Sequence, residues 1–192
     1  AGALPINYPN PFDLRRGKTG SGIWLHGTPA NQFSRAPKAT DGCVVMSNPD
    51  LERILATVEI RTTPVVIASS LQWARPEQSS ADVKAFDTAW AQWRSAKTNA
   101  DASRTLAFYT DDFNSYGKNL TDWSKILQTE LVQTKGRDVQ VKDMSVLHWA
   151  DSAQTSTMVV TFSEIRAGRS TGSTKRQYWL RSPGATKNEW KI

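Results

Sequence analysis

Apolar side chains at Val83, Phe86, Trp90, Trp93 and Ala96 recur at intervals of three and four residues, which predicts an amphipathic helix over 82–97 with its aromatic stripe turned inward. The same spacing at Leu120, Trp123, Ile126, Leu127 and Leu131 predicts a helix over 121–134, with a shorter one over 101–108 between them. Beyond residue 137 the pattern changes to β-formers. Residues 138–149, 155–166, 174–181 and 188–192 read as strands, with 168–173 as a hairpin turn. Upstream, Ile23–Leu25 reads as a short strand among Gly- and Pro-rich loops from Leu4 to Arg35. Asn48-Pro49-Asp50 can cap a short helix through Leu55, and Thr63–Ala68, short and β-branched, reads as a buried strand. Helices followed by a run of strands indicate an α+β domain. The polar, proline-containing stretch 73–81 separates the two patterns, so the chain divides into 1–72, a linker over 73–81, and 82–192.

Charge changes this picture little. Lys and Arg exceed Asp and Glu by 24 to 18 in 192 residues, and the excess is shared: eight against five up to residue 75, sixteen against thirteen after it. No basic stripe or nucleic-acid motif accompanies it, which argues against nucleic acid as the partner. No apolar run approaches the roughly twenty residues a bilayer span needs.

Candidate chemistry concentrates at one place. Cys43 is the only cysteine, and it follows His26 by seventeen positions. A lone thiol forms no intrachain disulfide, and one cysteine with two histidines falls short of a four-ligand zinc site, so no metal is assigned. A thiolate, not a thiol, attacks carbonyl carbon, and an imidazole can take the proton. Gly42 leaves room for a substrate carbonyl, and the backbone N–H groups around Gly42 and Cys43 can donate to an oxyanion. The backbone of Gly27 or Thr28 can orient the ring of His26. The alternative is a buried cysteine and a packed histidine without chemistry.

The stretch Gly22-Ile23-Trp24-Leu25-His26-Gly27-Thr28, followed by Thr40-Asp41-Gly42-Cys43-Val44 and Asn48-Pro49-Asp50, resembles the L,D-transpeptidase (YkuD) catalytic domain. The resemblance covers about residues 1–72. Pro5–Asp13 and Gly17–Gly22 resemble the subgroup with an added C-terminal domain, and the family's N-terminal β-strands are expected to be absent, leaving a partial, mainly-β domain. The resemblance implies Cys43 as nucleophile, His26 as base and Gly27 as its backbone partner. Gly42, Thr28, Asp41, Val44, Asn48 and Trp24 would form the oxyanion and substrate-binding surroundings. Two positions depart from the pattern: Asp41 and Val45 stand where the family commonly has histidine and arginine, so substrate binding is expected to differ.

Residues 82–192 resemble the NTF2-like (SnoaL-like) fold, helices on a curved antiparallel sheet, through Phe86–Trp93, Phe108–Phe113, Tyr178-Trp179-Leu180 and Glu189–Ile192. Asp111, Asp112, Tyr116 and His148 are candidate lining for a polar pocket there, each with a surface or capping role as the alternative. Such a domain suits binding of glycan or peptide, or self-association as a homodimer.

Together the resemblances imply cysteine-dependent acyl transfer on peptidoglycan stem peptides in the periplasm or cell envelope, without cofactor. Resolution of the thioester by an amine gives an L,D-transpeptidase, and by water an L,D-carboxypeptidase. The competing class is a non-catalytic cell-wall-binding module.

Overall fold

The computed structural model describes residues 2–134, 140–151, 153–165, 172–185 and 189–192. It divides into two compact units, residues 1–67 and 68–192.

In the first unit, β1 (Ala3–Pro5), β2 (Trp24–His26) and β3 (Val44–Val45) form a small sheet in that order, with helices α1 (Pro11–Arg15) and α2 (Asn48–Thr57). β1 runs antiparallel to β2, whereas β3 is parallel to it, pairing Leu25 with Val44 and His26 with Val45. The ladder continues through a bond from the Met46 N–H to the His26 carbonyl at 3.1 Å. Helix α1 lies in a stretch expected as loop. Asn10 accepts from the N–H groups of Phe12 and Asp13 while Asp13 accepts from the Asn10 N–H, a capping box that nucleates five residues without an apolar stripe. Helix α2 is capped by Ser47, whose hydroxyl accepts from the Asp50 N–H at 3.3 Å, and not by the residues expected for that role. Among the described residues of this unit, Leu51 of α2 is the only fully buried large hydrophobic side chain.

The expected strand over Thr63–Ala68 does not form; Val65, Val66 and Ile67 are exposed. The backbone before it is turned: the Thr63 hydroxyl accepts from the Glu59 N–H, the Thr63 N–H donates to the Glu59 carbonyl, and Arg61 adopts φ +78°. Local side-chain bonds of this kind compete with ladder formation. A β-branched run becomes a strand only where a neighbour supplies its pairing and packing.

The second unit contains α3 (Pro76–Thr98), α4 (Ala102–Leu106), a hairpin of β4 (Asn114–Ser115) and β5 (Lys118–Asn119), α5 (Leu120–Thr134), and the antiparallel sheet β6 (Gln140–Ala150), β7 (Ser156–Ile165), β8 (Ser173–Arg181) in that order. The fold class is α+β, with helices packed on an antiparallel sheet in the second unit. Helix α3 starts at Pro76, so residues 76–81, expected as linker, are its first turns. Proline at the first helical position costs no bond there, because that N–H would lack an intrahelical partner in any case.

β7 is the central strand and is buried along nearly its whole length. It faces the α3 stripe: Phe86, Trp90 and Trp93 pack with Met158, Val160, Phe162, Trp179 and Trp190 in one core. Ring pairs set the geometry. Trp90 stacks on Trp93 at 5.0 Å between centroids and meets Phe162 edge-on at 4.9 Å. Truncating an enclosed tryptophan such as Trp93 costs about 3–5 kcal/mol. Val83, read as part of the stripe, lies at its exposed margin.

A bulge between Lys142 and Ser145, with Asp143 at φ +51°, bends β6. The C-terminus forms no full strand. Leu180 and Lys191 exchange both backbone bonds, at 2.7 and 2.9 Å, and Ile192 N–H donates to the Phe108 carbonyl at 2.7 Å, seating Trp190 and Ile192 in the core. The expected turn over 168–173 falls largely outside the described residues, as do residues 138, 139, 166 and 188 at the expected strand ends.

Candidate active site

The site begins with the register of β2 and β3. Val45 is paired with His26, and Cys43 stands two residues before Val45, just outside β3. Cys43 and Val45 both line a cavity of about 230 Å³, together with Thr40, Met46 and the loop 34–39. Trp24, one pair earlier on β2, is exposed, and Val44 is half-buried against Leu25.

The imidazole of His26 is held by its own main chain: Nδ1 lies 2.8 Å from the Gly27 carbonyl. A carbonyl only accepts, so Nδ1 carries a proton, and in the neutral ring Nε2 presents the lone pair. That is the tautomer a general base needs. The Cys43 thiol donates to the Gly22 carbonyl, Sγ to oxygen 3.7 Å. The thiol proton thus rests on a backbone acceptor.

The loops around these groups are tied down by short polar contacts. Asn48 grips Thr28 from both sides, accepting from its N–H and donating to its carbonyl, both at 3.1 Å. The Thr28 hydroxyl donates to the Gln32 carbonyl, closing the turn after Gly27. The Thr40 hydroxyl donates to the Cys43 carbonyl at 2.8 Å. Gly42 adopts φ +111°, and a Cβ there would meet Ile23 Cδ1 at 2.8 Å, so the residue before the thiol has both a conformational and a steric reason to be glycine.

Of the sequence candidates, His26 is tied to Gly27 and Thr28 to Asn48, Val44 pairs with Leu25, and Cys43 follows Gly42 into the cavity wall; among the described residues no hydrogen bond joins Cys43 to His26. Asp41 is exposed and has no hydrogen-bond or ion-pair partner among the described residues. Sequence reasoning missed Thr40, Gly22, and the pair Arg35 and Lys38 on the cavity wall. Arg35 and Lys38 lie in a loop without hydrophobic periodicity; their three-residue spacing was the available signal.

In the second unit the proposed polar pocket is not assembled. Asp111 and Asp112 are exposed, and Tyr116 sits at 90% exposure in the β4–β5 turn. His148 is instead half-buried beside Asp82, Nε2 to Oδ2 3.7 Å. Burial pushes the Asp82 carboxyl up, but the Arg181 guanidinium at 2.7 Å and the Ser156 hydroxyl outweigh it and leave it below its ordinary value. Burial, with Arg181, pushes His148 down despite the attraction of Asp82.

A second charged group is deeper. Lys97, 4% exposed, contacts Glu164 at 2.9 Å and Glu130 at 3.2 Å, and Lys175 reaches the same carboxylates at 2.7 and 3.4 Å. Burial raises Glu164, yet the two ammonium groups draw it down to about 2. Among the described residues two cations thus face two anions. Among the described residues no cluster of His, Cys, Asp and Glu could hold a metal ion, and no helix is long and apolar enough to cross a membrane.

Comparison with known proteins places this geometry. Residues 85–192, more than half of the chain, match the Cds6 C-terminal NTF2-like domain. The chain belongs to that family. Residues 2–67 match the YkuD L,D-transpeptidase catalytic domain, so the thiol and imidazole lie inside a catalytic-domain match and the NTF2-like domain follows it. Among solved structures, Bd1075 of Bdellovibrio bacteriovorus is similar at 24% identity with a TM-score of 0.68, covering 99% of this chain and 66% of that one. Pgp2 of Campylobacter jejuni, described as a helical cell shape determining protein, is similar at 20% identity with a TM-score of 0.63, again over 99% and 66%. The chain therefore spans about two thirds of the length of these structures, and at such identities the likeness is one of fold. No curated protein matches the chain significantly.

Proposed function

We propose that this chain carries the cysteine centre of a peptidoglycan-modifying L,D-transpeptidase acting in the periplasm or cell envelope. The observation that carries the reading is the His26 to Gly27 contact, which leaves Nε2 available as a base, while Val45, the strand partner of His26, lines the same cavity as Cys43. The substrate is a stem peptide. Nε2 takes the thiol proton as sulfur bonds to the carbonyl carbon that joins an L-centre to the terminal D-residue. The backbone N–H groups around Gly42 and Cys43 receive the oxyanion. When the carbon–nitrogen bond breaks, the imidazolium returns the proton to the leaving amine, and a thioester remains on Cys43. The amine of a second stem peptide resolves it to a cross-link; water resolves it to a trimmed peptide. The description of Pgp2 as a helical cell shape determining protein fits either product, since both alter the wall. The NTF2-like domain is assigned to binding glycan or peptide, or to pairing with a second copy.

Incubation of the protein and its Cys43→Ala variant with disaccharide-tetrapeptide muropeptides, followed by mass spectrometry, tests the reading. Cross-linked tripeptide–tetrapeptide dimers that vanish in the variant are the expected result. Tripeptide monomers alone would assign the carboxypeptidase reaction, and identical profiles in both samples would overturn the enzymatic reading in favour of a binding module.

A further inference from the structure

Asp82 of α3 meets one residue from each strand of the sheet in the second unit: His148 of β6, Ser156 of β7 and Arg181 of β8. Its two carboxylate oxygens are already divided. Oδ1 receives the Arg181 guanidinium at 2.7 Å and Oδ2 the Ser156 hydroxyl at 3.1 Å, while Arg181 also donates to that hydroxyl at 3.4 Å. His148 is left out of this sharing. Its Nε2 is buried, stands 3.7 Å from Oδ2, and has no hydrogen-bond partner among the described residues. Buried polar atoms without a partner are rare, and this one faces the only anion of the cluster. The cluster also holds the start of α3. No side chain of that helix is buried before Ala85, and among the described residues Asp82 supplies the only hydrogen bonds and ion pairs that tie 76–84 to the sheet. Arg181 in turn lies over the Trp190 ring at 5.1 Å, and Phe86, one turn beyond Asp82, meets Trp190 edge-on at 5.8 Å. The cluster therefore closes one end of the aromatic core.

We propose that His148 is an acid-triggered latch: a proton on Nε2 sets a second cation against the single carboxylate of Asp82, parts β6 from α3 and frees the turns of the helix before Ala85. With the ring neutral, one cation and one anion face each other and the imidazole shields them from water. Protonated, the ring and Arg181 compete for Asp82 in a site where the three side chains are 19%, 16% and 26% exposed. To reach Oδ2 the imidazolium has to displace the Ser156 hydroxyl, its present donor. A net positive charge in so poorly hydrated a place is unfavourable. Burial lowers the proton affinity of His148, Asp82 raises it and Arg181 lowers it again, with a net decrease. Asp82 from α3 and Arg181 from β8 are the charged groups that act on the ring, and Met158, its ladder partner on β7, carries no charge. A ring that binds its proton more weakly docked than released is docked most firmly while neutral. Acid shifts the balance toward release as pH falls through the ordinary 6.5.

Amide exchange of the full chain, measured by NMR at about pH 7.5 and about pH 5.5 and corrected for the intrinsic rate, tests the latch. Protection at 80–84 should fall by up to about 10-fold between the two, the limit for one group of ordinary histidine affinity on release, while protection at 86–96 and along β7 stays level. His148→Gln keeps a polar side chain that cannot titrate, and its protection at 80–84 should be the same at both pH values. A loss that persists in His148→Gln, or that is absent from the unmodified protein, overturns the proposal. So does an equal loss along β7, which is unfolding of the whole unit. Should His148→Gln fail to fold, the His148 imidazole resonances of the unmodified protein decide. A ring midpoint below 6.5, with protection at 80–84 falling from 6.5 down to that midpoint and levelling off beneath it, supports the latch. A ring midpoint at or above 6.5 overturns it.

Discussion

The carboxamide of Asn48 and the backbone of Thr28 form a closed two-bond ring, N–H to Oδ1 and Nδ2 to carbonyl, each 3.1 Å long. A helix residue thereby fixes the main chain two positions beyond His26. Asn48→Ala removes both bonds and leaves a half-buried peptide unsatisfied, a loss of about 1–3 kcal/mol. Asn48→Asp keeps the acceptor but places a carboxylate oxygen against the Thr28 carbonyl. Both variants should slow iodoacetamide alkylation of Cys43 and speed amide exchange at Thr28. Unchanged exchange in Asn48→Ala would remove the clamp from the account of the site.

Gly42 offers a second check. Gly42→Ala places a Cβ 2.8 Å from Ile23 Cδ1 at φ +111° and should destabilise the first unit by about 1–3 kcal/mol. Ile23→Val, which deletes that Cδ1, should recover part of the loss in the double variant, because it relieves the clash and leaves the backbone strain. Chemical denaturation of the four proteins measures the coupling.

The buried charges of the second unit predict non-additive losses. Lys97→Met leaves Glu164 with Lys175 alone in a nearly dry site, which should cost about 3–5 kcal/mol. Pairing it with Glu164→Gln should cost clearly less than the sum of the two single changes, since the second substitution removes the charge the first one stranded. Thermal unfolding of the single and double variants reads this directly.

Acid stability follows from the same group. Glu164 is held at about 2 against an ordinary 4.5, so the unfolded chain binds its proton first. The stabilisation is fully present above about pH 4.5 and disappears as pH falls through 2, a change on the order of 3 kcal/mol. Asp82 acts in the same sense below its ordinary 3.8. His148, whose proton affinity is lowered by burial, also favours folding only while neutral, above its ordinary 6.5. Denaturation midpoints between pH 7 and 2 should therefore fall monotonically, and Glu164→Gln should flatten the part below pH 4.5.

Much of the candidate site was legible because the chemistry proposed for it needs residue types that are scarce here: one cysteine, preceded by a glycine, and a histidine followed by one. The α3 stripe was equally plain, since an aromatic at every third or fourth position has no other use as consistent as a core. Asn48 was read as a helix cap, however, and the structure gives that role to Ser47. Both residues suit a cap locally. The choice depends on the Thr28 peptide, twenty residues away in sequence, which competes for the Asn48 side chain.

What the sequence by itself determined are the short-range facts: the helical periods of the second unit, the three long strands, the capping and glycine signals, and which thiol and imidazole exist to be paired. Those depend on neighbours a few residues apart. Tertiary structure decided everything that depends on a distant partner. It left Thr63–Ala68 without a strand to pair with, placed His148 beside Asp82 instead of among Asp111, Asp112 and Tyr116, buried Lys97 by giving it two carboxylates, and set Arg35 and Lys38 on the same wall as Cys43. Hydrogen bonds and charges are satisfied by whichever group the fold brings near, and that group is not written in the local pattern.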